Sequence, residues 1–392
     1  MNEVPIRAIT SGPKHHWFGY YDKLQFDPSG RHILGMQVDF EHRSPVAEDE
    51  VRIGLIDTQN NDTWREIGST RSWGWQQGCM LQWIPGSASE VIWNQREGDR
   101  FVARIHDTSD GSERTLSAAV YTIAPDGRHA IGADFRRIND MRPGYGYAGL
   151  PDPNRDVLAP DDAGIYTVDL ATGETRQIIS IAQVAALPYP HGDLTEAKHY
   201  FNHLLYNTDG SRFIFLHRWR IGEGGFQTRM LTASPDGSDL HVFDDYGRMS
   251  HFIWRDPETI LAWSWQPSHE GAFYIYRDRT TEVDVIGEGI MTLNGHCTYL
   301  PDTDWILNDC YPQGDSREQQ LYLYHVPTSQ RLELGSFPSP EPYTGEWRCD
   351  LHPRFSPDGT RVTIDSADGG NGRQMYELTI EDRVASLAQE TG

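Results

Sequence analysis

Short apolar runs recur along this chain, each behind the same kind of turn. The turns are DPSG (27–30), IPGS (84–87), APDG (124–127), NTDG (207–210), RDPE (255–258), LPDT (300–303) and SPDG (356–359). Behind them stand HILGM, EVIW, HAIGA, RFIFL, TILAW, DWILN and RVTID. Each run is followed by a second: VRIGLID, FVARIHD, GIYTVDL, RMLTASP, AFYIYRD, LYLYHVP and QMYELTI. Pro, Asp and Gly between β-rich segments are hairpin signals: Gly supplies positive φ, Pro pre-sets φ, and Asp bonds its own backbone. A spacing of ~40–50 residues is that of propeller blades. The pattern predicts an all-β fold, a seven-bladed β-propeller in a single domain over 1–392. Residues 4–9 are expected to join the last blade and close the ring, because an unpaired edge strand is a liability. The longest irregular stretch, 139–163, is rich in Gly, Pro, Tyr and Asp and falls inside blade three. It reads as a loop insertion over one face. The polar tail 381–392 reads as frayed.

Charge narrows the partners. A formal net charge of −23 argues against nucleic acid, which needs a basic footprint, and against anionic membrane surfaces. A local basic pocket is still compatible with it. No apolar run reaches the ~18 residues of a spanning helix, and MNEVPIRAITSGPKHH has no signal-like apolar core. The expected location is cytoplasmic. Cys79, Cys297, Cys310 and Cys349 are too few and too scattered for a disulfide framework and read as reduced thiols.

Aligning the blades on their turns exposes candidate chemistry. His203, His251, His296 and His352 each stand four or five residues before a turn, in four consecutive blades. Equivalent points on innermost strands face one another around a propeller's axis. The repeat therefore gathers four imidazoles, the commonest metal ligand and a common general base near neutral pH. About ten residues after each turn, the second strand returns to the channel mouth. Arg96, Arg136, Arg137, Arg218 and Arg220 fall there in three adjacent blades. Guanidinium groups bind carboxylate or phosphate, often bidentately. Trp75, Trp83, Trp219, Trp263 and Trp265 lie in the same or neighbouring segments and offer flat faces for sugar rings, or pack between blades.

Arginines, histidines and aromatic faces at one mouth suit an acidic oligosaccharide. Uronic acids permit β-elimination. A cation neutralises the C5 carboxylate, a base removes the C5 proton, and the oxygen at C4 leaves. Charge grows on the carboxylate as an enediolate, so the site must place positive charge there.

HHWFGYYDKLQFDPSG (15–30), HYFNHLLYNTDGSRFIFLHRWR (199–220), NGHCTYLPDTDWILNDCYP (294–312) and EWRCDLHPRFSPDGTRVTIDS (346–366) resemble propeller-type polysaccharide lyases. The relatives are the oligogalacturonate lyases and the seven-bladed ulvan lyases. The match covers most of the chain and is strongest from 196 to 380. The resemblance implies a carbohydrate lyase with His203 as base, Arg218 or Arg220 neutralising the uronate, and His251 assisting. It implies substrate contacts among His16, Tyr21, Trp75, Gln77, Arg96 and Arg136. It also implies a divalent metal on His296 and His352. The first histidine of the last metal motif is replaced by Asp350, and an upstream glutamine by Trp347. Asp350 would favour Mn²⁺ or Ca²⁺, whereas Cys349 with His251 would favour Zn²⁺. Ulvan lyases pair a tyrosine with histidines; Tyr21, Tyr200 and Tyr206 are the candidates here. Two other classes stay open: a non-catalytic sugar-binding or scaffold propeller, and a glycoside hydrolase using two of Asp134, Asp309 and Asp365.

Overall fold

Each turn of the repeat closes the hairpin between the first and second strands of a four-stranded antiparallel sheet. The corners are tight: Gly30 N–H donates to Asp27 O, and Gly210 N–H to Asn207 O. The computed structural model describes residues 4–384 and contains seven such sheets. They span 15–70, 82–116, 122–180, 197–247, 252–286, 298–338 and 354–379. Ile6–Ala8 is the outermost strand of the seventh, with Ile6 opposite Leu378, Arg7 opposite Glu377 and Ala8 opposite Tyr376. The molecule is a seven-bladed β-propeller closed by its own N-terminal strand. Most of the polar tail, 385–392, lies outside the described residues. No helix among the described residues is long and apolar enough to cross a membrane.

The blades pack face to face, so their middle strands are apolar on both sides. Ile33, Leu34, Met36, Val51 and Ile53 of blade one bury against Trp17, Trp73, Trp75 and Trp93. Burial on both faces explains runs such as HILGM, where strict alternation would mark a half-exposed strand. All four cysteines are buried and free.

Two irregular segments shape the channel. The first is the chain between Ala133 and Gly164 in blade three. It opens with a short helix, Phe135–Met141, capped by the Asp134 side chain. Phe135 stacks on Tyr147 with ring centroids 4.2 Å apart. Arg137 is buried and donates to the carbonyls of Asn154, Val157, Leu158 and His199 while pairing with Asp152. Arg137, expected among the mouth arginines, instead ties the insertion down.

The second segment, 18–25, leaves the inner edge of blade one and enters the channel. Phe18 N–H and Gly19 N–H donate to Asp365, which also receives a bidentate pair from Arg354 at 2.8 and 3.1 Å. Gly19 has φ +110, and a Cβ there would sit 3.0 Å from the backbone of Gln77. Only glycine allows that approach. The chain then presents Tyr20 and Tyr21, and the Tyr21 hydroxyl both donates to Phe252 O and accepts from Phe252 N–H. Blade one is thereby laced to blade five.

Blade four buries a histidine pair beside the site. Arg229 Nε donates to His217 Nδ1, and His217 Nε2 lies 2.8 Å from His199 Nδ1. Burial, then Arg229, depresses both imidazoles, His199 to about 4 and His217 well below its ordinary value.

Two outcomes follow from this packing. Asp365→Ala leaves Arg354 buried without its carboxylate and frees two channel N–H groups; it should cost about 3–5 kcal/mol, read from the denaturant midpoint. The unfolded chain protonates the two histidines below pH 6.5, whereas the fold keeps His199 neutral until about 4 and holds His217 well below its ordinary value. Their contribution is therefore complete above pH 6.5 and lost as pH falls toward 4. Unfolding free energy should decline across that window by up to ~1.4 kcal/mol per pH unit for each histidine. Replacing both by glutamine should flatten that part of the slope.

Candidate functional site

Four imidazoles and two phenols meet in the channel. His251, His296 and His352 each stand just before the short inner strand of their blade: Phe252–Trp254, Thr298–Tyr299 and Arg354–Phe355. His203 lies inside Ala197–Tyr206, where the register shifts between Asn202 and Leu205. Ring centroids are 4.1 Å apart for His251 and His296, and 4.2 Å for His296 and His352. Tyr20 packs against His203 at 5.0 Å and His352 at 5.1 Å, and Tyr21 against His296 at 5.4 Å. His203 and His352 have φ of 52 and 43, left-handed values that non-glycine residues adopt at a cost of ~1–3 kcal/mol. In each case the unusual backbone delivers its N–H to a buried acceptor, Tyr121 Oη for His203 and Asp309 for His352.

One side of this cluster has the geometry of a cation site. Asp309, fully buried, accepts from His296 N–H at 2.6 Å and from His296 Nδ1 at 2.9 Å. The proton of His296 is therefore on Nδ1, and Nε2 is a free lone pair. His296 Nε2, His352 Nε2 and Asp350 Oδ1 are all buried without a partner. Ligand atoms of the three residues lie within 4.8 Å of one another. Three orphaned acceptors at that spacing, one on a carboxylate-oriented imidazole, fit a divalent metal. Cys349 does not join them. It is buried with Tyr343 and Ala367, and burial pushes its thiol up to about 12. His251 is absent from the triad as well: its Nδ1 faces Asn294 Oδ1 at 2.9 Å, and its Nε2 faces the Tyr311 hydroxyl at 3.3 Å. The residues that could hold a cation are thus two imidazoles and a carboxylate, with no thiolate among them.

The other side is cationic. Arg218 and Arg220 come from the strand Phe213–Ile221, and Arg142 comes from the insertion. Their guanidinium carbons lie 4.7, 5.8 and 4.4 Å from the Phe226 ring. Arg218 Nε and Nη1, Arg220 Nε and Arg142 Nη1 are buried without acceptors. No ion pair ties any of the three to a carboxylate among the described residues. Arg348 is different: it pairs with Asp350 at 2.6 Å and donates to the Tyr145 hydroxyl at 2.7 Å. Arg142 reaches the same hydroxyl at 3.2 Å. Burial works to raise the Tyr145 phenol, but Arg142 and Arg348 outweigh it and leave it below its ordinary value. Tyr200 stands opposite Arg218 across the hairpin; burial, opposed by Arg142 and Arg220, pushes it up to about 12.

Several residues expected at the mouth lie elsewhere. His16 is held between Gln374 and Gln37 and edges onto Trp64, toward a pocket outside the channel. Trp75 is buried between Trp17 and Trp73, its indole N–H on Arg43 O. Arg96 binds Ala47 O, and Arg136 binds Asp134 in a separate pocket on blade three. Tyr206 belongs to the apolar core. Gln77 and Tyr21 do reach the cluster, Gln77 through His203. The three carboxylates available to a hydrolase are each engaged: Asp134 by Arg136, Asp309 by His296 and His352, Asp365 by Arg354. Tyr145, Arg142 and Arg348 were not singled out from the sequence. The one signal for Tyr145 and Arg142 was the Tyr- and Gly-rich insertion itself, and Arg348 stands two residues from Asp350.

No protein-family model and no curated sequence matches the chain. Among solved structures it is similar to an oligogalacturonate lyase in complex with manganese, at 16% identity and a TM-score of 0.67, covering 96% of this chain and 93% of that one. It is equally similar to an oligogalacturonate lyase from Vibrio parahaemolyticus, at 14% identity and a TM-score of 0.67, covering 96% and 94%. The propeller domain of a trilobed protease from Pyrococcus furiosus follows at 11% identity and a TM-score of 0.52, covering 92% and 96%. At these identities the likeness is one of fold.

The cation site has a test that needs no substrate. Adding Mn²⁺ at ~100 times its dissociation constant should raise the unfolding free energy by about 2.7 kcal/mol. His296→Ala or His352→Ala should abolish the shift. Asp309→Asn should weaken metal binding ~10–100-fold, because it removes the carboxylate that orients His296.

Proposed function

We propose that this protein is a carbohydrate lyase that cleaves uronate-containing oligosaccharides by β-elimination. The observation that carries the reading is the group of three arginines, Arg142, Arg218 and Arg220, with buried and unpartnered nitrogens beside the histidine cluster. Buried cations demand an anion, and no described side chain provides one. A uronate carboxylate has the charge and the planar fork to do so.

The hydrogen bonds around each ring support His251 over His203 as the base. Asn294 Oδ1 can only accept, so His251 Nδ1 carries the proton, and the Nε2 lone pair, held at rest by the Tyr311 hydroxyl at 3.3 Å, is offered to substrate once that long contact is displaced. His251 Nε2 takes the C5 proton, the C4–O bond breaks, and the departing oxygen takes the proton of the Tyr145 hydroxyl. Arg142 and Arg348, already on that hydroxyl, stabilise the phenolate left behind. Solvent returns the proton from His251 to Tyr145. Arg218 and Arg220 hold the carboxylate while charge grows on it. When bound, a divalent cation on His296, His352 and Asp350 supplies further positive charge at the site. Two imidazoles and a carboxylate would suit divalent ions of intermediate hardness, Mn²⁺, Fe²⁺ and Zn²⁺ alike. The fold shared with oligogalacturonate lyases agrees with this chemistry.

Elimination alone creates a C4=C5 double bond conjugated to the carboxylate, so ultraviolet absorbance on a panel of uronate oligosaccharides is the test. Wild type should generate the chromophore on at least one member of galacturonate or rhamnose–glucuronate type. Arg218→Ala should lower kcat ~10²–10³-fold, with Lys restoring only part. His251→Ala should cost ~10²–10⁴-fold. Reducing ends appearing without the chromophore would instead indicate hydrolysis.

A further inference from the structure

One donor in the channel wall cannot be reversed: the backbone N–H of His203, which points at Tyr121 Oη at 2.8 Å. Its direction decides the next two hydrogen bonds. Tyr121 Oη accepts there, so its own proton goes to the other neighbour, Gln77 Oε1, at 2.6 Å. The Gln77 end facing Tyr121 is thus the oxygen, and the end facing His203 Nδ1, at 3.1 Å, is the amide nitrogen. An amide nitrogen only donates. His203 Nδ1 must therefore accept, and in a neutral ring the single proton sits on Nε2. The φ of 52 and the register shift at 202–205 are what turn that backbone N–H toward Tyr121.

We infer that Gln77 and Tyr121 are positioning residues that fix His203 as a neutral Nε2–H donor, and that His203 serves the reaction as an electrophile on the substrate's developing negative charge. The inference rests on the lyase reading given above. A base needs a lone pair that substrate can reach, and here the only lone pair, on Nδ1, faces the buried amide of Gln77. Nor does the ring give its proton away, because loss of the only N–H would leave an imidazolate. The proton stays on Nε2 throughout, as in other enzymes where a neutral imidazole polarises a carbonyl. The surroundings agree with a neutral ring. His203 is walled by Tyr20 and Tyr145 at centroid distances of 5.0 and 5.6 Å, and burial, then Arg142 and Lys23, disfavours its charged form. His296, by contrast, has a carboxylate on Nδ1 and so the opposite tautomer. Two imidazoles in one channel are set oppositely by what lies behind them.

The tautomer is measurable without substrate. In protein with ¹⁵N-labelled histidine, the His203 ring, assigned by its absence in His203→Gln, should show a protonated Nε2 and a bare Nδ1 at neutral pH. A protonated Nδ1 overturns the proposal whether or not the protein is a lyase. Gln77→Glu should reverse the pattern, since a carboxylate draws the proton to Nδ1; Tyr121→Phe, which keeps the ring volume, should yield a mixture. In turnover, His203→Ala should lower kcat ~10²–10³-fold, as loss of an oxyanion donor does. His203→Gln retains an N–H but has no basic nitrogen, and should recover at least ~10-fold of that loss. Gln77→Glu should lower kcat with little change in KM. If His203→Gln is as inactive as His203→Ala while folded, the ring acts as a base and the proposal fails. If wild type cleaves no uronate yet shows the expected tautomer, the lyase reading fails and the positioning by Gln77 and Tyr121 stands.

Discussion

The carboxylate of Asp309 is the point from which the site is built. It is fully buried, and it accepts from two backbone N–H groups and one imidazole that belong to two different blades. Each of these donors replaces a water that the buried carboxylate has lost. In return it fixes His296 as an Nδ1–H tautomer, and it holds His352 in a left-handed backbone. Asp350 and the two imidazoles then bring ligand atoms within 4.8 Å of one another. An apolar residue at 309 would leave His352 strained and two N–H groups without acceptors.

Across the channel the balance of charge reverses. A chain with net charge −23 gathers Arg142, Arg218 and Arg220 at one spot without carboxylate partners. Phe226 offers its ring face to all three, which compensates a guanidinium only in part. Such a pocket is poised for an anion, because pairing there gains more than it would in water. The surrounding acidic surface has the opposite sign and disfavours non-specific polyanions. Arg348 joins the two halves, touching Asp350 on one side and Tyr145 on the other.

What the sequence reveals of this arrangement depends on whether a residue keeps step with the repeat. His203, His251, His296 and His352 stand at fixed distances from turns whose geometry is local, so alignment on the turns suffices to bring them together. Ile6–Ala8 is legible for a similar reason: seven blades leave one edge open. Tyr145 and Arg142 have no repeat position, since they sit in an insertion with no counterpart in other blades. Tyr20 is hidden because 18–25 abandons the inner strand to cross the channel, and Tyr21 is legible only through the resemblance. Arg96, Arg136 and Trp75 show the converse error. Each falls at the correct offset, but a position near a strand end does not fix where the side chain goes. Arg96 is taken by a carbonyl, Arg136 by a helix-capping aspartate and Trp75 by two other indoles.

The inner strands explain why chemistry is found at this place at all. A propeller with ideal repeats would run every inner strand the full height of the channel and fill it with side chains. In six of the seven blades these strands have only two or three residues, those of blades five, six and seven being Phe252–Trp254, Thr298–Tyr299 and Arg354–Phe355. The chain above each is released from the ladder and carries its histidine in a loop. Blade four keeps a ten-residue inner strand, and there the register shift beside His203 does the same work. Released backbone must find new acceptors, and at His203 and His352 it finds Tyr121 and Asp309. Those acceptors are also what settle the protons on the His203 and His296 rings. The stretches of backbone released from the ladder are therefore the same ones that settle where the protons sit on these two rings.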